Sequence, residues 1–478
     1  MQGVFVFILC LGVLISGYVF YGRLAEKVYG LKQEMQMPCV KMPDGVDFVP
    51  MPTWKIFMIQ LLNIAGLGPV VGAVSGCLYG PVALLWIVLG CILAGAFHDF
   101  LAACMSAERD GCNLPELVGT YLGNPARHAM RCVCIFLLLM VGVVFSLLPA
   151  GMLHGICPFF STLQWSILII LYYFLATILP ISAVIGKIYP LFGAVFLVMA
   201  IGLVVMLPRC GYPVLPDLDF FTNMHPGGIS VWPMLFVTIA CGAISGFHAT
   251  QSPMMVRCLR SAGHMKRVFY GAMVVEGMVA LVWATVGLTL RDVVLGESQT
   301  FAQMSLVNPS LAVKTACNFL LGDIGGSIAV IGVIVLAITS GDTAMRSCRL
   351  MMADVLKVNQ VSIVSRMALA VPLFLIVILI SQIDFSVIWR YFGWANQTLA
   401  CITLWTIAVC LRRRKRCYHL ALYPALFMTC MCVAFLCFAP ECGINLSLKW
   451  ATGIGCFCAL VCFMAFYRWV RPSCSREC

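Results

Sequence analysis

The sequence predicts an all-α polytopic membrane protein of about 13 transmembrane helices, organised as a five-plus-five inverted repeat with one extra N-terminal and two extra C-terminal helices. Three observations predict it. The 478 residues are 62% hydrophobic and only 10% charged, against roughly 25% charged in globular proteins. The 30 Lys and Arg residues gather in the gaps between apolar runs. Two apolar runs, at 54–79 and 229–253, are each interrupted by helix-breaking residues.

The candidate spans are roughly 3–21, 54–79, 82–105, 131–153, 165–186, 188–208, 229–253, 268–290, 325–346, 366–382, 386–410, 419–438 and 450–468. Tyr79-Gly80-Pro81 separates the second from the third, and Lys187 the fifth from the sixth. The first reads as a retained span, because Arg23 and Lys27 follow it and no base precedes it, which puts the N-terminus outside. In that orientation 25 of the 30 bases face the cytoplasm, and so does the C-terminus. The net charge of +11 therefore reports topology, and no nucleic-acid partner is expected. The basic cluster at 412–416 reads as a stop-transfer anchor. Many of the 26 cysteines, such as Cys10, Cys77, Cys91 and Cys401, lie inside apolar runs, and none stands beside a His at zinc-like spacing. They read as small hydrophobes, with no metal and no cofactor expected.

The first break is Asn63-Ile64-Ala65-Gly66-Leu67-Gly68-Pro69. Pro69 cannot donate to the helix ladder, and the two glycines free the backbone to turn. In hydrocarbon, loose backbone is tolerated only where it is buried or lines a cavity. The second break is the polar latter half of 229–253, with Gly242, Ser245, Gly246, His248, Thr250, Gln251, Ser252 and Pro253. The broken spans are the second and the seventh, so they run in opposite directions. This divides the chain into an N-terminal helix and cytoplasmic loop (1–52), a first repeat (53–208), a second repeat (209–410) and a C-terminal helix pair with tail (411–478). Half-helix ends present free amides to an anionic ligand. The substrate-binding candidates are Asn63, Ala65, Gly66 and Gly68 from the first break, and Ser245, Gly246, Phe247, His248, Thr250 and Gln251 from the second.

Three polar clusters stand beside the breaks. Thr339, Asp342, Thr343 and Arg346 share one helix face, with Ser340 adjacent; they suit a cation or proton site, or a salt bridge at the helix end. His98-Asp99 suits a proton relay, or an interfacial pair facing bases such as Arg109. Glu276 is a lone carboxylate in an apolar span, a coupling candidate or a group bonded to a neighbouring helix. The polar run 394–398 lines a cavity or joins helices, and the loop at 291–322 is an external gate or a passive connection. Nothing matches a phosphate loop, a nucleophile elbow or a metal motif, which argues against an ATP-driven pump or an enzyme.

Several stretches carry a resemblance: 62–71 (LNIAGLGPVV), 79–81, 85–99 (LWIVLGCILAGAFHD), 114–119 (LPELVG), 241–255 (CGAISGFHATQSPMM), 268–276 (VFYGAMVVE), 338–346 (ITSGDTAMR) and 388–400 (IWRYFGWANQTLA). They resemble the carbon starvation protein A family of bacterial inner-membrane transporters, of which this looks like a shorter member. The resemblance implies the LeuT-like fold of amino acid–polyamine–organocation transporters, and uptake of peptides or pyruvate when carbon is scarce. It implies the inner membrane, and proton coupling as in pyruvate-transporting relatives. In folds of this type a sodium site, where present, lies between the first broken helix and the eighth core helix, which implies Thr339, Ser340 and Thr343. The expected partners are a small-molecule substrate, a coupling H+ or Na+ and the bilayer. A nutrient sensor and a channel are the competing readings; short loops with no appended domain disfavour the first. Geometrically, Gly66 and Gly246 are expected to lie close together, facing 339–343 around one cavity.

Overall fold

A computed structural model describes residues 2–45, 47–179, 181–217, 219–295, 299–383, 385–439 and 443–471. The helices are α1 (Gly3–Tyr29), α2 (Thr53–Ala65), α3 (Gly68–Tyr79), α4 (Val82–Ala107), α5 (Asn124–Ile156), α6 (Thr162–Ile178), α7 (Ile181–Arg209), α8 (Val231–Thr238) and α9 (Gly246–Val256). They continue with α10 (Ala262–Thr289), α11 (Phe301–Val307), α12 (Pro309–Leu356), α13 (Ile363–Ile380), α14 (Phe385–Arg413), α15 (His419–Phe438) and α16 (Leu448–Trp469). Among the described residues, 10 helices are long and apolar enough to cross a bilayer, or 11 with the bent pair α2–α3 taken as one span. The two other expected spans correspond to α6, with 17 residues, and to the interrupted pair α8–α9.

Local chemistry sets the helix ends. α6 and α11 begin with capping boxes, Ser161 with Gln164 and Thr300 with Gln303, each satisfying two backbone groups at the first turn. α12 starts on Pro309, with the Asn308 side chain accepting from the Leu311 N–H. Gly322, at φ 70° and ψ 177°, divides α12 into an outer segment and the span proper. The expected junction at Lys187 is displaced: α6 ends at Ile178, Leu179 is extended, and α7 is helical from Ile181. Pro180 follows Leu179 in the sequence, and a residue before proline is pushed out of the helical region.

Large apolar side chains stand exposed along α1, α7 and α16, including Phe5, Phe20, Leu191, Val198, Phe457 and Trp469. Facing lipid, they cost nothing that water would charge. The interior is a different environment. α2 is enclosed by α7, α9, α10 and α12, so the first break lies at the centre of the bundle.

Candidate functional site

The first break follows from its glycines. α2 stops at the buried Ala65; Gly66 adopts φ 45° and ψ −146°, and α3 resumes at an angle of 50°. A Cβ on Gly66 would stand 2.8 Å from the Phe145 ring and 3.3 Å from Ser340 Oγ. Ser340 Oγ donates to the Leu62 carbonyl at 2.8 Å, supplying one of the partners that a helix C-terminus lacks. The last turns of α2 carry Gln60 and Asn63, both fully buried. All four of their side-chain N and O atoms lack a hydrogen-bond partner among the described residues.

The second break is held from α14. Asn396 Oδ1 accepts from the Phe247 N–H at 2.8 Å and from Ser245 Oγ at 3.0 Å, and Gln397 Nε2 donates to the Phe236 carbonyl at 2.6 Å. Asn396 and Gln397 of the polar run at 394–398 thus join helices. Gly246 packs onto α14, where a Cβ would meet the Asn396 carbonyl oxygen at 2.4 Å and the Ala400 nitrogen at 2.5 Å. Gly66 lies against Ser340 as expected, whereas Gly246 is turned to α14 rather than to 339–343. The breaks meet one step away, where a Cβ on Gly68 would stand 2.2 Å from Cys241 Cβ. Further along α9, Thr250 Oγ1 donates to the Phe247 carbonyl at 2.6 Å and accepts from Gln251 Nε2 at 2.9 Å. Ser347 Oγ donates to Gln251 Oε1 at 3.4 Å, tying α9 to α12.

The ion-coupling candidates fall into two groups. On α12, Thr339 Oγ1 donates to the Leu336 carbonyl and Thr343 Oγ1 to the carbonyls of Thr339 and Ser340, all within the helix. Asp342 Oδ2 accepts from Tyr172 OH at 3.4 Å. Arg346 donates to the carbonyls of Ala176 and Leu179, and its Nη1 is 3.7 Å from Asp47 Oδ1. The second group joins α4, α9 and α10. Asp99 takes His98 Nδ1 on one carboxylate oxygen and His248 Nδ1 on the other, each at 2.8 Å. His248 Nε2 lies 3.5 Å from Glu276 Oε2, outside hydrogen-bonding geometry. All four side chains are fully buried. His98-Asp99 is therefore no interfacial pair; Arg109 lies instead over the Tyr121 ring, 5.4 Å from its centroid.

A cavity of about 560 Å³ opens beyond the breaks, lined among others by Val71, Ser75, Thr238, Ser305, Lys314 and Trp389. None of the expected site residues lines it. The segment 305–311 and Lys314 form part of its wall, so the loop at 291–322 shapes the mouth. An aromatic series separates it from the first break: Trp389 to Phe392 at 5.6 Å, Phe392 to Phe145 at 6.1 Å, and Phe145 over Gly66.

Sequence reasoning missed Gln60, Cys241, Tyr172 and Asp47. Gln60 carried a signal, since it stands one turn before Asn63 on the same helix face. Tyr172 and Asp47 gave none, because their partners are distant in the chain, and Cys241 read as one more small hydrophobe.

Two interrupted helices meeting beside a long helix of polar residues define the LeuT-type transporter fold. MhsT, solved in complex with L-phenylalanine, has the same fold, with a TM-score of 0.54 at 15% identity over 87% of this chain and 99% of that one. MHP1, a nucleobase-cation-symport-1 family transporter solved in a closed conformation with bromovinylhydantoin bound, gives 0.53 at 14% identity over 90% of this chain and 95% of that one. The chain belongs to the carbon starvation protein CstA family, whose profile it matches over residues 2–159, 153–316 and 320–434. An uncharacterized membrane protein of Haemophilus influenzae is 40% identical over 337 residues, 60% of this chain and 91% of that protein. Peptide transporter CstA of Escherichia coli is 26% identical over 344 residues, 56% of this chain and 48% of that protein. Pyruvate/proton symporter BtsT of the same organism is 26% identical over 340 residues, 56% of this chain and 46% of that protein. The match thus spans about half the length of these two named transporters.

Proposed function

We propose that the chain is a secondary active transporter of the bacterial inner membrane, N-terminus outside and C-terminus cytoplasmic, importing peptides or pyruvate-like carboxylates under carbon starvation. It works by alternating access around the two breaks. Residues 53–208 and 209–410 act as the inverted halves, with 1–52 and 411–478 as additions. The observation that carries this reading is the first break. Gln60 and Asn63 present four polar atoms without a partner among the described residues, in the bundle interior beside Gly66 and Ser340. An unmet buried polar group costs roughly 1–3 kcal/mol, so a polar ligand gains affinity by meeting it. Phe247 N–H and Ser245 Oγ are already taken by Asn396, so Asn63, Gly66 and Gly68 bear the substrate's polar end. His248, Thr250 and Gln251 hold the shape of α9. The coupling proton sits on Asp342, which Tyr172 OH addresses. Family membership and the names of the relatives support transport.

The test is uptake into proteoliposomes of labelled pyruvate and of di- and tripeptides, with and without an inward proton gradient. Gradient-driven accumulation of at least one of them is expected, and Asp342→Asn should abolish accumulation while leaving counterflow exchange. If no substrate accumulates under the gradient, the substrate assignment is wrong. If Asp342→Asn still concentrates substrate, Asp342 is not the coupling residue.

A further inference from the structure

We propose that Cys241, His248 and Glu276 form a binding site for a divalent transition-metal ion of the zinc class. One ligand atom from each, the Cys thiol sulfur, an imidazole nitrogen and a carboxylate oxygen, lies within 4.8 Å of the others, and all three residues are buried. They come from three places: the segment before α9, α9 itself, and α10.

The atoms aimed at this point are short of partners. His248 Nε2 and both carboxylate oxygens of Glu276 find no hydrogen-bond partner among the described residues, although both side chains are fully buried. His248 is oriented for ligation. Asp99 holds its Nδ1 at 2.8 Å, which fixes the ring and leaves Nε2 turned to Glu276. A carboxylate on the far nitrogen of a ligating histidine is the usual outer support of a metal site. His98 on the other oxygen of Asp99 extends that support. Cys241 Sγ has its own: Asn396 Nδ2, at 3.9 Å, donates to the sulfur and would support a thiolate, while the thiol itself donates to Ser245 Oγ at 3.6 Å.

The donor set selects the ion. One sulfur, one nitrogen and one oxygen suit zinc and its neighbours, whereas calcium, magnesium and sodium ask for oxygen alone. Three protein ligands leave a fourth position for water or for an external carboxylate. Tetrahedral bond lengths place ligand atoms ~3.5 Å apart, so the side chains must close by on the order of 1 Å. Binding releases the thiol proton of Cys241, and the cation then offsets a thiolate and a carboxylate in the low-dielectric interior. Ion binding here is independent of whether the chain moves a substrate.

The test is a titration of the purified, chelator-stripped full chain in detergent with Co2+ as the probe. The expected result is one Co2+ per chain with visible absorption of a four-coordinate ion and a near-ultraviolet thiolate charge-transfer band. Cys241→Ser should lose the charge-transfer band, and Glu276→Gln should weaken binding by about tenfold or more. Cys430 and Cys456, with sulfurs 3.6 Å apart, are the competing thiols, and Cys430→Ser should leave the spectrum unchanged. Gel filtration and thermal unfolding of each variant separate loss of the site from loss of the fold. No stoichiometric binding to the wild-type chain would overturn the proposal. So would a charge-transfer band that survives in a folded Cys241→Ser variant.

Discussion

Asn396 does for the second break what a capping residue does for an ordinary helix start. One amide oxygen takes the Phe247 N–H, in the first turn of α9, and the Ser245 hydroxyl with it. At this depth no water substitutes, so losing the acceptor strands a backbone N–H. Asn396→Leu should therefore cost about 2 kcal/mol, read as a lower unfolding midpoint of the purified protein. Thr403→Val is the control on the same helix: its hydroxyl bonds back to the Leu399 carbonyl one turn earlier, and its loss should cost under ~0.5 kcal/mol. Equal midpoints for the two variants would remove Asn396 from this role. The sequence marks Asn396 as a polar residue in an apolar span, but the contact joins residues 149 apart. Spacing reveals neighbours on one helix, as it does for Thr339 and Thr343, and says nothing about a partner on another. The cluster of Asp99, His248 and Glu276 was invisible as a unit for the same reason: each residue was legible alone, and only packing assembles them.

The breaks themselves were legible at the level of the element, because glycine and proline act on the backbone locally. The loops that frame the cavity were less so, since side chains from several elements hold them. Arg291 donates to the Leu78 carbonyl at 3.2 Å and to the Met224 carbonyl, fastening the loop before α8 to the end of α3. His225 follows, its ring 4.7 Å from Tyr79 and its Nδ1 accepting the Gly227 N–H at 3.1 Å. Burial, then the Arg291 charge, holds the His225 imidazole below its ordinary range. The sign follows from linkage. An opened loop binds the proton more readily than the closed one, so the closed form is favoured above the ordinary histidine value of about 6.5 and loses that advantage as pH falls below it. Protonation also removes the lone pair that Gly227 uses. Hydrogen exchange at 222–230, corrected for intrinsic rate, should thus accelerate between about pH 7.5 and pH 5.5. His225→Asn should flatten the dependence, and an unchanged profile in that variant would show that another group controls the loop.

Across the whole molecule, the two ends differ in construction. One end carries the cavity of about 560 Å³; the other is sewn shut by guanidinium groups. Arg346 of α12 reaches the carbonyls of Ala176 and Leu179 at the end of α6 and stands 3.7 Å from Asp47, in the segment before α2. Arg366 of α13 donates to the Ile178 carbonyl at 2.5 Å and to the Val361 carbonyl at 3.0 Å, and Arg349 donates to Gln360. These residues lie at the end where the bases gather, which is cytoplasmic in the proposed orientation. A cluster that joins α12, α6, α13 and the lead-in to α2 must come apart if that end is to open. Asp47 supplies the negative charge facing Arg346, and Arg346 is fully buried. Removing one partner of a buried pair costs roughly 3 kcal/mol, enough to shift a two-state balance about a hundredfold. Asp47→Asn should therefore speed hydrogen exchange at 47–57 and slow it around the opposite cavity, and reduce gradient-driven uptake severalfold. Lys41→Gln gives the comparison, since its pair with Asp110 at 2.7 Å is exposed and worth under ~1 kcal/mol. If Asp47→Asn exchanges and transports as Lys41→Gln does, the cluster is an ordinary surface brace and the closure of this end lies elsewhere.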